Sequence, residues 1–362
     1  MHSVRAVIVA AFVLLIAFPV TANDTLVTLG AGGLVPLKST QIVMESEDLE
    51  ISVHQITVRY VFHNDGDQDV DATVAFPLPA LNGGTLYGEP IELPSPSLVN
   101  FVGFKATVAG EPVVPRVQIR AFTEKPDRDV TARIRKLGLP ISVVDHKRID
   151  AAVRRLPPNQ VEELKTEELI IPNETLDGSG KVVKTEYWPA WQMRVEYYWT
   201  QRFPANETVT VVHSYRPVVG GSYIVADNDG AQSVKPYCGG VEALSQIKKA
   251  KEKLPAKQDD IALWERRIQY ILTTGNNWSG PIQRFHLAVL TDRPDDIVVT
   301  CTPDLRRVAP TRYELSRLNF HPDSELDLLI LQANKQQAKR LALSGITDLP
   351  VLLESSSGAA AH

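Results

Sequence analysis

Apolar and polar residues alternate with a period of two along much of residues 24–125, and that alternation predicts strands. In the run Ile56 to Phe62, Ile56, Val58, Tyr60 and Phe62 fall on one face. Leu49 to Val53 and Val70 to Phe76 are two more short β-rich runs. His63-Asn64-Asp65-Gly66-Asp67 is dense in turn formers and is expected to join Ile56 to Phe62 with Val70 to Phe76 as a hairpin. Phe76-Pro77-Leu78-Pro79 ends the second of these strands, because proline cannot donate to a ladder. Phe101 to Val108 alternates again before Gly110-Glu111-Pro112 turns the chain. This spacing of short strands and turns suits a β-sandwich.

The period changes over residues 127–170. Thr131 to Leu137 reads as helix, stopped by Gly138 and Pro140. Asp145 is placed to cap a second helix through Ile149, Val153 and Leu156, and Pro157-Pro158 opens a third from Asn159 to Ile170. Arg133, Arg135, Lys136, Lys147, Arg148, Arg154 and Arg155 make the first part of this insert basic, and its last helix is rich in Glu. Such charge reads first as a solvated helical face, and second as a surface for an anionic partner.

Strand patterning resumes at Lys181, with Val195, Tyr197 and Trp199 on one face and Tyr198 on the other. From Cys238 the texture changes. Val241 to Lys253 and Ile261 to Thr273 are expected as helices. The second would be capped by Asp259 or Asp260, would carry Trp264, Ile268 and Ile271 or Leu272 as one stripe, and would stop at Gly275. Strands are expected at Arg284 to Leu290, Ile297 to Cys301, Thr311 to Leu318 and Leu326 to Leu331. The expected architecture is mainly β with α (α+β). A β-sandwich over 23–235 carries the helical insert 127–170, a smaller disulfide-linked α+β module follows over 236–332, and the tail 333–362 is expected to be disordered in part.

Length suggests two or three domains, enough to bury a real core. The net charge of −5 argues against a general nucleic-acid binder, which needs an excess of Lys and Arg to neutralise phosphates. Arg5, the apolar run Ala6 to Val20 and the small residues Val20-Thr21-Ala22 read as a secretory signal over residues 1–22, cut after Ala22. That run is short of the roughly 20 apolar residues of a membrane span, and no later stretch is long and apolar enough, so a periplasmic or secreted protein with no transmembrane segment after cleavage is expected. An exported chain with two cysteines, Cys238 and Cys301, is expected to bridge them, since neither lies in a C-x-x-C pair or beside a His.

Catalytic signatures are missing: there is no G-x-S-x-G, no H-E-x-x-H and no Walker A run. No catalytic, cofactor-binding or metal-ligating residue is assigned. Gly30-Ala31-Gly32-Gly33 has no surrounding βα unit and reads as permissive backbone. The acidic groups Glu45, Glu47, Asp48 and Asp227, Asn228, Asp229 read as solvated turns before they read as calcium ligands. The histidines are scattered singly. The most unusual feature is an aromatic cluster of Tyr187, Trp188, Trp191, Tyr197, Tyr198 and Trp199. It reads first as core packing and cross-strand pairing, and second as a ligand surface, for which Tyr187, Trp188, Trp191 and Tyr198 are the candidates.

Several segments occur together and in order: Asn23-Asp24, Leu29 to Leu34, Met44 to Leu49, Val58 to Phe62, Val74 to Pro79 and Thr273 to Ile282. Together they resemble the exported bacterial family called domain of unknown function 4424. That resemblance implies a periplasmic protein and implies no activity. A weaker likeness, in Val58 to Pro79 and Phe104 to Val113, is to vault/inter-α-trypsin-type β-sandwich domains, which are interaction modules; no D-x-S-x-S adhesion motif follows. The expected function is a non-enzymatic envelope protein that binds another envelope protein or a small ligand. The alternatives are a glycan- or lipid-binding protein using the aromatic surface, and a hydrolase with an unfamiliar site.

Overall fold

A computed structural model describes residues 24–30, 33–88, 91–254 and 261–334. The expected signal peptide, and the expected tail from residue 335 onward, lie outside the described residues. The predicted alternation is realised in the side chains: Ile56, Val58, Tyr60 and Phe62 are all buried, and so are Val195, Tyr197 and Trp199. Strands dominate, with a few helices, so the chain is mainly β within an α+β class.

Two large sheets face each other. One runs in the order Arg306–Ala309, Arg312–Phe320, Ile282–Leu290, Ile42–Ile51, Ile56–Asn64, Thr208–Tyr215, Lys105–Val108 and Glu111–Val113. The other runs Arg128–Asp129, Arg116–Thr123, Gln192–Phe203, Val70–Pro77, Thr25–Gly30 and Gly33–Leu37, with Leu81–Asn82 pairing off its path. Aromatic contacts such as Phe62 with Phe203 and Trp199 with His213 join them across the core. A third sheet runs Ile297–Thr300, Leu326–Ala333, Ile261–Tyr270, Val219–Val225 and Ile91–Glu92. Its Ile268, Tyr270, Leu328 and Ile330 join the main core, while Leu263, Leu329 and Leu331 pack under Val234, Ala243 and Ile247 in a smaller one. Strands from either side of residue 236 thus share two sheets, and the expected division there runs through both.

Two expectations are corrected. The turn at residues 63–67 does not close a hairpin: Ile56–Asn64 and Val70–Pro77 lie in different sheets, and the turn carries the chain across the sandwich. Ile56–Asn64 pairs instead with Ile42–Ile51. Turn formers report that a chain reverses, and are silent on whether its two arms pair. The second correction concerns Ile261–Tyr270, which is a strand and not a helix. Its pairing on both sides, to Val219–Val225 and to Leu326–Ala333, overrides a helical spacing that a ten-residue amphipathic stretch can mimic.

The insert holds three short helices, Thr131–Lys136, His146–Val153 and Pro158–Thr166. Asp145 caps the second, its carboxylate accepting from Arg148 N at 3.2 Å. The third ends at Thr166 instead of Ile170, because Glu168 takes a left-handed φ of 54° and Ile170 opens a strand. The basic and acidic parts meet: Arg133 bonds Glu163 at 2.9 Å and Glu167 at 3.2 Å. Cys238 and Cys301 form the expected disulfide. Gly239 lets the chain pass the preceding turn, since a Cβ there would lie 2.4 Å from Val234 Cβ.

Candidate functional site

A cavity of about 290 Å³ lies where the segment after Val70–Pro77 crosses over the third sheet. Leu78, Leu81, Ile91, Phe101 and Val102 form its apolar wall, and Val218 and Ile268 extend it. The wall is held by backbone pairing: Ile91 sits in register with Gly220, and Arg216 N donates to Val102 O at 2.9 Å. Gly220 also lies opposite Arg267, where its missing side chain leaves the arginine stem room to lie over the strand.

The polar groups come from Ile261–Tyr270 and Leu326–Ala333. Arg267 Nη2 donates to Gly221 O at 2.5 Å, and its Nε lies 3.8 Å from a Glu265 carboxylate oxygen. Asp327 accepts from Gln269 Nε2 at 3.0 Å. Partial burial raises the Asp327 carboxyl above its ordinary range, and neighbouring Glu325 adds to that. Glu325 is itself committed, accepting from Leu272 N, Thr273 N and Thr273 Oγ1. An apolar body with a few oriented polar groups at one side is the usual make-up of a small-ligand site. Among the described residues that line it there is no Ser, Cys or His.

The four aromatic candidates do not form one surface. Tyr187 and Trp188 lie half-buried on Val182–Pro189, with Arg154 and Lys165 over the Tyr187 ring at 5.9 and 5.8 Å. Trp191 is fully buried and its indole N–H donates to Ile141 O at 2.9 Å, which places it in the core and not on a surface. Tyr198 projects from the opposite side of the second large sheet and packs against the small cluster of Val27, Leu34 and Ala75. Of the two acidic groups, Glu47 is buried while Asp48 faces outward near His286. Asp229 and Asn228 accept from Ala231 N and Gly230 N. Among the described residues no three His, Cys, Asp or Glu are arranged to hold a metal ion, and no helix is long and apolar enough to cross a membrane.

A second polar feature is sealed inside the sandwich. His213 Nε2 lies 3.5 Å from Asp24 Oδ2, both fully buried, with the rings of Tyr60, Phe76, Phe104 and Trp199 around the imidazole. The Tyr60 and Tyr270 hydroxyls are 3.0 Å apart, and Tyr270 donates to Glu47 at 3.5 Å. Burial pushes the His213 imidazole down to about 3 and lifts the Asp24 carboxyl well above its ordinary range, to which Glu47 adds.

Comparison with known families now bears on this geometry. The profile of a domain of unknown function, DUF4424, matches residues 22–329. The chain belongs to that family. Segments that carried the DUF4424 resemblance meet in space: Trp278 Nε1 donates to Asp24 O at 2.6 Å, and Asn277 Nδ2 donates to Thr25 Oγ1 at 3.0 Å. Among solved structures, one similar to this DUF4424 chain is a proposed nutrient binding protein from Legionella pneumophila. It is 14% identical, with a TM-score of 0.40 over 91% of this chain and 76% of that one. No curated protein matches significantly.

Sequence reasoning missed Arg267, Gln269 and Asp327. With 261–273 read as a helix, Arg267 falls at the flank of its apolar stripe and Gln269 on its polar side. Only strand pairing sets Gln269 opposite Asp327.

Proposed function

We propose that this chain is an exported, non-enzymatic binding module whose ligand is a small molecule seated in the cavity between Leu78–Val102 and Ile268. The observation that carries this reading is the cavity itself, an apolar pocket with Arg267, Gln269 and Asp327 among its described lining residues. The Cys238–Cys301 bridge supports an oxidising compartment, in keeping with the signal read at residues 1–22. Binding through the aromatic surface has less support, because its four residues are dispersed between the core and two separate faces.

The test is ligand-induced stabilisation, comparing the protein with Val218→Trp, which fills the cavity. A ligand at a hundredfold excess over its Kd stabilises the folded state by about 2.7 kcal/mol. Small apolar molecules are expected to raise the melting temperature of the wild-type protein by several degrees and to leave the folded variant unmoved. Equal responses from the two proteins would remove the cavity as the site.

A further inference from the structure

We infer that the outer face of the second large sheet carries a separate binding site, for an acidic sugar. A cavity of about 450 Å³ lies there, and it shares no described lining residue with the cavity beside Ile268. Strand register builds its floor. On Gln192–Phe203, Tyr197 and Trp199 turn inward and are buried, so Tyr198 and Thr200 point outward. Tyr198 lies opposite Arg116 on one neighbouring strand and opposite Ala75 on the other, and Thr200 lies opposite Thr73. Opposed residues share a face with Cβ atoms about 5 Å apart, and positions two apart on a strand are about 7 Å apart. Arg116, Tyr198, Thr200 and Thr73 therefore form one patch. Leu34 walls it: the hairpin of Thr25–Gly30 and Gly33–Leu37 leans over this face, where Leu34 N donates to Gln118 Oε1 at 3.2 Å and the Leu34 side chain packs with Ala75 and Tyr198. Val113 and Val114 wall it as well, on the segment that crosses from the first large sheet to Arg116–Thr123.

Each group of the floor matches a different part of a sugar acid. Half-buried Tyr198 offers a flat apolar ring that can cover the C–H face of a sugar. The Thr73 and Thr200 hydroxyls both donate and accept, as sugar hydroxyls do. The guanidinium of Arg116, an exposed residue, is a flat fork of N–H donors that matches a carboxylate. Among the described residues that line the cavity there is no Asp or Glu, so its one charge is positive. Glu196, one step along the same face, is already met, by a hydrogen bond from Gln118 and by Arg120 at 3.8 Å. A fatty acid would use Arg116 and Leu34 and leave both threonines unmatched, whereas a neutral sugar would leave Arg116 unmatched. A hydroxylated ring bearing one carboxylate uses all four groups.

Titration followed by NMR with four probes separates these cases: glucuronate and galacturonate, glucose without the carboxylate, and cyclohexanecarboxylate without the hydroxyls. One of the two uronates is expected to bind tightest. Arg116→Gln is expected to weaken that uronate about tenfold and to leave glucose unchanged. Thr73→Val with Thr200→Val is expected to weaken the uronate and glucose and to leave cyclohexanecarboxylate unchanged. Tyr198→Ala is expected to weaken both sugars, and Tyr198→Phe to retain them. Melting temperatures without ligand establish which variants fold, and Arg116→Gln, at an exposed position, keeps the test open if Tyr198→Ala does not. Glucose or cyclohexanecarboxylate binding as tightly as the better uronate would overturn the assignment. So would a uronate that binds Arg116→Gln as tightly as the wild-type protein, or no binding of any of the four. Val218→Trp is expected to leave the uronate unaffected; loss of binding in that variant would put the sugar in the other cavity and overturn this site. The two readings fail separately, since small apolar molecules that Val218→Trp rejects uphold the cavity beside Ile268 whatever the uronates do.

Discussion

At the scale of single residues, Asp24 and His213 show how a fold sets charge. Both are fully buried, and burial disfavours the charged form of each. In the unfolded chain the carboxyl titrates near about 3.9 and the imidazole near about 6.5. As pH falls from about 6.5 toward 3, the unfolded His213 takes a proton that the folded one refuses, so stability is lost on the acid side. As pH rises above about 4, the unfolded Asp24 releases a proton that the folded one retains, so stability is lost in that direction as well. Asp24→Asn is expected to gain on the wild-type protein as pH rises from 4 to 6. His213→Gln is expected to gain on it as pH falls through the same interval. Urea midpoints across that range check both; parallel profiles for all three proteins would show that neither group titrates differently on folding. None of this was legible in the sequence, where His213 is one scattered histidine and Asp24 follows an expected cleavage site. Their meeting depends on two sheets facing each other.

At the scale of elements, patterning located strands and helices well where one face is buried and the other wet. Ile56–Asn64, Thr208–Tyr215 and the helices around Ile149 and Ile247 are of that kind. It failed at Ile261–Tyr270, a strand covered on parts of both faces, where burial no longer alternates. The arginine and glutamine of the candidate site were lost with it. The hairpin of Ile170–Leu176 and Val182–Pro189 shows a different element-scale device. It forms a sheet of two strands, and each outer edge is blocked at particular positions. On one side Asp150 accepts from Tyr187 N at 2.9 Å, and Arg154 donates to Thr185 O. On the other, Pro172 pairs with Tyr187 and has no N–H to offer. Such blunting keeps a free edge from recruiting another chain. The double substitution Asp150→Ala with Pro172→Val is expected to self-associate with rising concentration where the wild-type protein does not. Sedimentation velocity at low and high loading reads this directly, and unchanged coefficients would mean the edge is covered by something else.

At the scale of the whole molecule, the disulfide and the sheet order act together. Cys238 and Cys301 are 63 residues apart in sequence and close a loop around the third sheet. Constraining such a loop in the unfolded chain is worth about 4 kcal/mol in the chain-entropy account. Replacing both cysteines by serine is expected to lower unfolding free energy by up to that amount, measured by denaturant titration without reductant; a loss under about 1 kcal/mol would show that the bridge adds little to a sheet already closed by its ladders. The expectation of a later, separate module could not foresee this interlocking, because long-range pairing leaves no local mark in a sequence. Its plainest instance is the parallel pairing of Ile282–Leu290 with Ile42–Ile51, in which Glu50 meets Ala288. The partner of that inner strand is synthesised about 240 residues after it. At about 5–20 residues per second, the N-terminal half waits roughly 12–48 s beside an open ladder. Nascent chains of this protein therefore pass through a window in which the ladder of Ile42–Ile51 is open on the side that Ile282–Leu290 later covers.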